Sequence, residues 1–384
     1  MKILHVISDL SPKTGGPVSA VLGLSETQRE LGHEVRIATT DYRLPAKDRD
    51  EANVVCRCTF PFWRYAPSLK GQLTNMVQWA DAVHVHTIWE YPTLVALRLA
   101  RKLNKPCLLR PCGMLDPWSL NQSQLKKRLY MGLFSRDIFF PGVRLHFTTI
   151  AEQEKSLYPS GIGSVVIGNG LAESAFVPRD KTEGFFSVFP SLRDKKIILF
   201  LGRVHPKKQP DVAIEAFACI ADTYPDVYLV IAGPYRAEYR KQLESLVTGM
   251  GVEERVLFTG MLSGKALYGA YRAACMYVLP SHQENFGITV AEAMAGYCPV
   301  IVSQNVDIKD LVASGNAGKV CATESKDVSD NMRFFLDNPL LAKKTGENGR
   351  RVAEGCFRWR QIAERLTLVY ESLQKKQYSK RSPM

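Results

Sequence analysis

Two glutamates, Glu284 and Glu292, stand eight positions apart, with seven residues between them, in a stretch whose polarity changes in ordered steps. Residues 276–279 are apolar and read as a strand, 280–287 as a polar loop, and 288–295 as a helix stopped by Gly296. The apolar run 299–302 reads as the next buried strand. In an open α/β sheet, the loops at the carboxyl ends of strands carry ligands. Glu284 falls in such a loop, with Glu292 about a turn and a half into the helix. Both carboxylates can then face one pocket, beside helix amides that favour an anion. Taken alone, the pair reads equally as two acids on a solvated face. The helix shifts that balance: Ile288, Val290, Ala291, Ala293, Met294 and Ala295 leave it apolar nearly all round. A carboxylate there needs a hydrogen-bonding partner, and a sugar or ribose diol would serve.

Two cations, Arg203 and Lys208, follow the apolar strand 197–201. Fixed cations at a strand end suit a diphosphate and can neutralise charge as it leaves. An ordinary basic turn has the same spacing. Gly15-Gly16 stands where the loop after strand 3–7 enters a helix starting at Pro17, and glycines there let backbone approach a phosphate. A paired glycine can also simply turn the chain. His84 and His86 point to one face of the strand 81–86 if it is regular.

Positioning these groups requires a sizeable scaffold. The chain has 384 residues, 46% hydrophobic and 23% charged, which describes a globular protein of one large or two ordinary domains. No apolar run reaches the length of a membrane span, and the first residues form a strand pattern too short for a signal-peptide core. A cytoplasmic location is therefore expected. Nine cysteines are scattered without a Cys-x-x-Cys pair, so neither a zinc nor a redox motif is suggested, and most should be reduced and buried. The formal charge of +12 suits phosphorylated ligands, anionic membranes or nucleic acid. It is partly local: residues 98–144 hold ten Lys or Arg against two Asp, and a second basic cluster ends the chain. Segment 125–140 interleaves cations with Leu125, Leu129, Tyr130, Phe134, Phe139 and Phe140. It reads either as an interfacial segment on an anionic leaflet or as a helix packing its apolar side into the core.

Six strand patterns alternate with helices up to residue 167 (3–7, 35–39, 81–86, 106–110, 146–149, 164–167). Five more follow (197–201, 227–232, 256–259, 276–279, 299–302). The expected fold class is α/β, with two Rossmann-like domains facing across a cleft: 1–168, then 169–355, then a helix with a basic tail over 356–384. That last helix places Ile362, Leu366, Val369 and Leu373 at helical spacing.

Pro280-Ser281, Glu284, Phe286-Gly287, Glu292-Ala293, Met294-Ala295 and Pro299-Val300 together resemble the E-x7-E segment of retaining glycosyltransferases of family 4, which have the GT-B fold. Gly202-Arg203 with Lys208 matches that family's G-R-x4-K donor-phosphate motif. The resemblance is strongest over 197–320 and moderate over 1–120. It implies that Glu284 binds donor-sugar hydroxyls, Glu292 the nucleotide ribose, and Arg203 and Lys208 the diphosphate. Asn285, Phe286 and Gly287 would offer backbone amides, Gly15 and Gly16 would lie over the diphosphate, and the turn holding Met261 and Leu262 would meet the base. Many members carry a His-Gly pair in the loop after the fourth strand; here the position is Cys112, beside Gly113. The nearest acceptor-side substitutes are His86 and Asp116, though a structural histidine reads as well as a catalytic one. The resemblance further implies a metal-independent hexosyltransferase with no cofactor and a nucleotide-diphosphate sugar as donor substrate. Its acceptor would be a glycan or lipid-linked saccharide, not nucleic acid, and the last helix would cross back onto the first domain. Trp89-x-Tyr91-Pro92 and Gly113-Met114-Leu115-Asp116-Pro117-Trp118 resemble a subgroup among bacterial exopolysaccharide and O-antigen transferases, which act at the inner face of the plasma membrane. The alternatives are a GT-B nucleotide-sugar epimerase and a basic binding protein without activity.

Overall fold

A computed structural model describes residues 1–11, 15–44 and 53–379. Its chain divides into two compact units, Met1–Gly170 with Trp359–Met384, and Leu171–Arg358. Of the basic tail, Lys380 and Arg381 lie outside the described residues, as does part of the loop between residues 8 and 16.

The first unit is built on seven parallel strands: β1 (Lys2–Asp9), β2 (Glu34–Thr40), β3 (Asn53–Cys56), β4 (Ala82–His86), β5 (Cys107–Arg110), β6 (Val143–Phe147) and β7 (Ser164–Val166). Their order is β3-β2-β1-β4-β5-β6-β7. In the second unit, six parallel strands follow: β8 (Lys196–Leu201), β9 (Val227–Ala232), β10 (Val256–Gly260), β11 (Ala274–Leu279), β12 (Val300–Ser303) and β13 (Gly318–Cys321), ordered β10-β9-β8-β11-β12-β13. Helices cover both faces, so the central strands of the second sheet are long apolar runs, with Ile197, Ile198, Leu199 and Phe200 all fully buried, while β1, β4 and β6 of the first also bury His5, His84, His86 and His146. Strand order reverses between β1 and β4 and again between β8 and β11, which opens a crevice at the carboxyl ends of those strands.

Two strands were not legible as strands. β3 and β13 are four residues each and sit at sheet edges, where only one neighbour covers them; their residues are mostly half-exposed and carry no long apolar run. In the first helix, Gly16–Glu30, Val18, Val21 and Leu24 face the core, while Leu22 is 44% exposed. All nine cysteines are free, and four of them, not most, are buried: Cys56, Cys107, Cys298 and Cys321.

The last helix, Trp359–Ser379, belongs to the first unit. Ile362, Ala363, Leu366 and Tyr370 pack with Ile3, Leu24, Val35, Ala82, Leu108 and Ile167. Its first residue decides how it docks. The Trp359 indole occupies the space that a side chain would need at Gly23 and Gly170: a Cβ would lie 2.5 Å from the ring at Gly23 and 2.1 Å at Gly170. Gly23→Val should therefore overpack this contact and destabilise the protein by about 1–3 kcal/mol. Urea denaturation should show the loss, and Trp359→Ala in the same chain should recover part of it. Additive losses in the double variant would contradict this packing.

Candidate functional site

The chemistry-bearing residues of the second unit gather where β8, β11 and β12 end. After β8 the chain turns at Gly202, passes Arg203, and makes one short turn, Pro206–Lys208. Gly233, at the end of β9, has φ +138°, and a Cβ there would stand 1.8 Å from the Gly202 carbonyl oxygen, so only glycine lets the two loops approach. The Lys207 carbonyl accepts from His282 N at 2.9 Å and from Ser281 Oγ at 3.0 Å, joining the β8 loop to the β11 loop. Ser303 Oγ donates to the Ser281 carbonyl at 2.5 Å, and Glu284 N donates to Asn305 O at 3.1 Å, joining both to the β12 loop. These bonds hold Glu284 beside Lys208, and the two side chains form an ion pair. Both are largely shielded from solvent.

Helix Ile288–Ala295 begins at Gly287, whose φ of +77° suits glycine at a helix entrance, and Thr289 in its first turn meets Tyr277. The Tyr277 hydroxyl lies 2.9 Å from Leu201 O and 2.7 Å from Thr289 Oγ1, fixing the helix entrance against the end of β8. Glu292 accepts a 2.9 Å hydrogen bond from the Tyr271 hydroxyl. Burial pushes its carboxyl up to about 7, against the opposing pull of that bond. Phe286 turns its ring inward onto Phe357, with centroids 5.7 Å apart, so only its backbone is free for a ligand. Asn285 is half-buried, Leu262 is half-buried, and Met261 is 73% exposed just after Gly260, which ends β10. Arg203 is exposed. Burial, and after it the charges of Arg203, Arg236 and Lys207, hold His205 below the usual histidine range. That marks a positive field at the end of β8, suited to a phosphate. Tyr271, Tyr277 and Arg236 had no signal in local sequence, because each acts through a residue distant in the chain.

In the first unit, Gly15 and Gly16 are exposed at the start of helix Gly16–Glu30. His86 ends β4 and is fully buried, its ring stacked on that of His84 with centroids 4.2 Å apart. Cys112 is half-buried at φ +55°, and burial raises its thiol. Its Sγ lies 3.7 Å from Arg110 O. Asp116 caps the short helix Pro117–Asn121 by accepting from Trp118 N at 2.8 Å. The loop 111–118 is anchored by Glu152, which sequence reasoning passed over. One of its oxygens accepts from Gly113 N at 2.7 Å, the other from Thr148 N and Oγ1, each at 2.7 Å. Thr149 with Glu152 three residues on was the legible sign of that anchor, since Thr149 caps its helix through Glu152 N. Ring nitrogens of His5, His84 and His86 lie within 4.8 Å of one another, which is metal-ligand spacing. Among the described residues, no helix is long and apolar enough to cross a membrane.

Two parallel α/β sheets, the second with paired charges and a shielded carboxyl at its switch point, define a two-domain α/β protein. Comparison with known proteins narrows the class. The model for "Glycosyl transferases group 1" matches residues 183–352, and that for the "Glycosyl transferase 4-like domain" matches residues 15–170. The chain belongs to this family, the family 4 glycosyltransferases of GT-B fold. It is 30% identical over 213 residues to the D-inositol 3-phosphate glycosyltransferase of Streptomyces avermitilis, an alignment covering 53% of this chain and 46% of that protein. It is 26% identical over 235 residues to the lipopolysaccharide core biosynthesis mannosyltransferase LpcC of Rhizobium leguminosarum bv. viciae, covering 60% and 66%. The chain thus spans roughly half to two thirds of the length of these curated relatives. Its fold is similar to that of HepE from Anabaena, solved in complex with UDP and glucose (TM-score 0.77, 18% identity, 97% of this chain and 100% of that one).

Glu292 yields a test without any ligand. A carboxyl raised from 4.5 to about 7 on folding costs nothing below 4.5. Stability is lost as pH rises between those values, and the full cost stands above 7. Glu292→Gln should therefore stabilise the protein by about 1–3 kcal/mol at pH 8 and hardly at all at pH 4.5. Urea midpoints at the two pH values measure this; an equal effect at both would show that burial does not raise the group.

Proposed function

We propose that this chain is a retaining glycosyltransferase, moving a sugar from a nucleotide-diphosphate sugar to a glycan or lipid-linked acceptor in cell-surface polysaccharide assembly. The observation that carries this reading is the Lys208–Glu284 pair, held at the β8/β11 switch point beside Glu292. The paired ammonium and carboxylate are the two groups a sugar diphosphate needs. The phosphate takes Lys208 with Arg203, and the freed Glu284 accepts from sugar hydroxyls. Glu292 accepts from the ribose diol, and the amides of Asn285, Phe286 and Gly287 border the helix entrance. In the transfer, the bond from the anomeric carbon to the phosphate oxygen breaks, and its electron pair leaves with the diphosphate. The acceptor oxygen bonds to that carbon from the same face, and its proton passes to the departing phosphate. Arg203 and Lys208 stabilise the charge that develops, which makes a metal dispensable. Cys112, whose thiol is raised by burial, is not the base. The match to a lipopolysaccharide core transferase favours a surface-glycan setting over the epimerase and the inactive binding protein.

This pairing predicts a split between binding and turnover. Glu284→Ala should lower transfer roughly a hundredfold, about 3 kcal/mol, while binding of UDP or GDP is unchanged or tighter, because Lys208 is released. Lys208→Ala and Arg203→Ala should weaken that binding, and Cys112→Ser should leave substantial activity. Calorimetry with UDP and GDP, and rates with a donor panel in EDTA with envelope extract as acceptor, measure these. NMR gives the product anomer. An inverted product, or a Cys112→Ser variant as inactive as Glu284→Ala, would overturn the mechanism.

A membrane-bound acceptor fits one surface of the first unit. On helix Gln124–Ile138, Leu125, Leu129 and Leu133 are 82%, 64% and 64% exposed along one face, while Tyr130 and Phe134 turn toward the core. Lys126, Arg128 and Arg136 are exposed, whereas Lys127 is turned onto Ser119 O at 2.5 Å. Such a face suits peripheral contact with the anionic inner leaflet, in a cytoplasmic protein. Replacing Lys126, Arg128 and Arg136 by Ser should cut co-sedimentation with phosphatidylglycerol vesicles roughly tenfold or more. Equal binding by the parent would discard the contact.

A further inference from the structure

Four of the chain's seven histidines, His5, His84, His86 and His146, are buried together in the first unit. Burial holds His5 at about 4, His146 at about 3, and His84 and His86 well below the usual range, so all four are neutral. A neutral imidazole donates from one nitrogen and accepts at the other. The bonding pattern then assigns every tautomer, starting from a main-chain carbonyl that can only accept.

His146 Nε2 donates to Ile167 O at 2.8 Å, so its Nδ1 accepts from His84 Nε2 at 3.2 Å. His84 Nδ1 must accept, and the Tyr370 hydroxyl donates to it at 2.8 Å. The Tyr370 oxygen accepts from Gln28 Nε2 at 3.4 Å, which turns Gln28 Oε1 to His5 Nε2 at 2.8 Å. His5 Nε2 therefore donates, and its Nδ1 accepts from His86 Nε2 at 3.0 Å. Every link fixes the next in one direction. At the end stands His86 Nδ1, a lone pair, buried and without a hydrogen-bond partner among the described residues. Beside it, Thr87 Oγ1 and Arg110 Nε are also buried without partners among the described residues, though Arg110 Nη2 donates to Asn169 Oδ1 at 2.6 Å. Arg110 is the register partner of His86 across β4 and β5, and Thr87 N donates to Arg110 O at 2.9 Å. An acceptor, a hydroxyl and a donor thus remain unused at adjacent strand ends, next to the β1/β4 switch point. Unmade hydrogen bonds at buried groups are costly, and a ligand hydroxyl could supply them.

We infer that His5, Gln28, Tyr370, His84 and His146 are positioning residues that keep His86 Nδ1 unprotonated, as the acceptor for a hydroxyl of the saccharide substrate. This rests on the glycosyltransferase reading. A metal at His5, His84 and His86 would need, besides the free lone pair of His86, those of His5 and His84, which already accept from His86 and Tyr370.

Long-range proton–nitrogen spectra of protein labelled with 15N-histidine read the tautomer directly. In the parent, His86 should carry its proton on Nε2 alone. Tyr370→Phe and Gln28→Met break the relay at two links, and either should let the His86 nitrogens average toward each other while UDP and GDP binding stays as in the parent. Methyl α-glucoside and methyl α-mannoside, as probes, should move the His86 Nδ1 signal and leave His146 unmoved. A proton on His86 Nδ1 in the parent, an unchanged His86 in both variants, or no response to either glycoside would overturn the inference. So would joint displacement of His5, His84 and His86 by Zn2+. Absence of UDP and GDP binding in the parent would count instead against the transferase reading, leaving the tautomer result to stand.

Discussion

Strands buried on both faces leave a protein few places to keep polar chemistry. Both sheets here are wholly parallel and covered by helices, so interior positions of the central strands must be apolar or fully hydrogen-bonded. Charge is therefore displaced to the carboxyl ends of the strands, and strand order opens a crevice there at β1/β4 and β8/β11. Lys208, Glu284 and Glu292 stand at the second of these places, His86 at the first.

The two units meet this constraint in different ways. In the second, charges are kept at the edge and paired: Lys208 with Glu284, and Glu292 with the Tyr271 hydroxyl. The first carries polar groups deeper, on β1, β4 and β6, and keeps them neutral. Four imidazoles, an amide and a phenol replace charge by a chain of hydrogen bonds in which every group but the terminal His86 is used once as donor and once as acceptor. Neutrality removes the large cost of an ion in the core, and direction removes the ambiguity of imidazole. The site elements are also held through their main-chain amides: Glu284 N by Asn305 O, and Gly113 N of loop 111–118 by the Glu152 carboxylate.

Local sequence determined much of this. The helix at Ile288–Ala295, its start at Gly287, the strand ends carrying Lys208 and His86, and the alternation of strands with helices follow from periodicity and turn chemistry, which act within a few residues. Edge strands β3 and β13 escaped, because half-covered, four-residue strands need no apolar run. Only the tertiary structure decided the partners. Tyr271 reaches Glu292 across 21 residues, and Tyr370 reaches His84 across 286. A carboxyl raised to about 7 and a histidine locked in one tautomer are consequences of burial and of what lies opposite. Both are set by where distant segments pack, and no residue type or spacing encodes that locally.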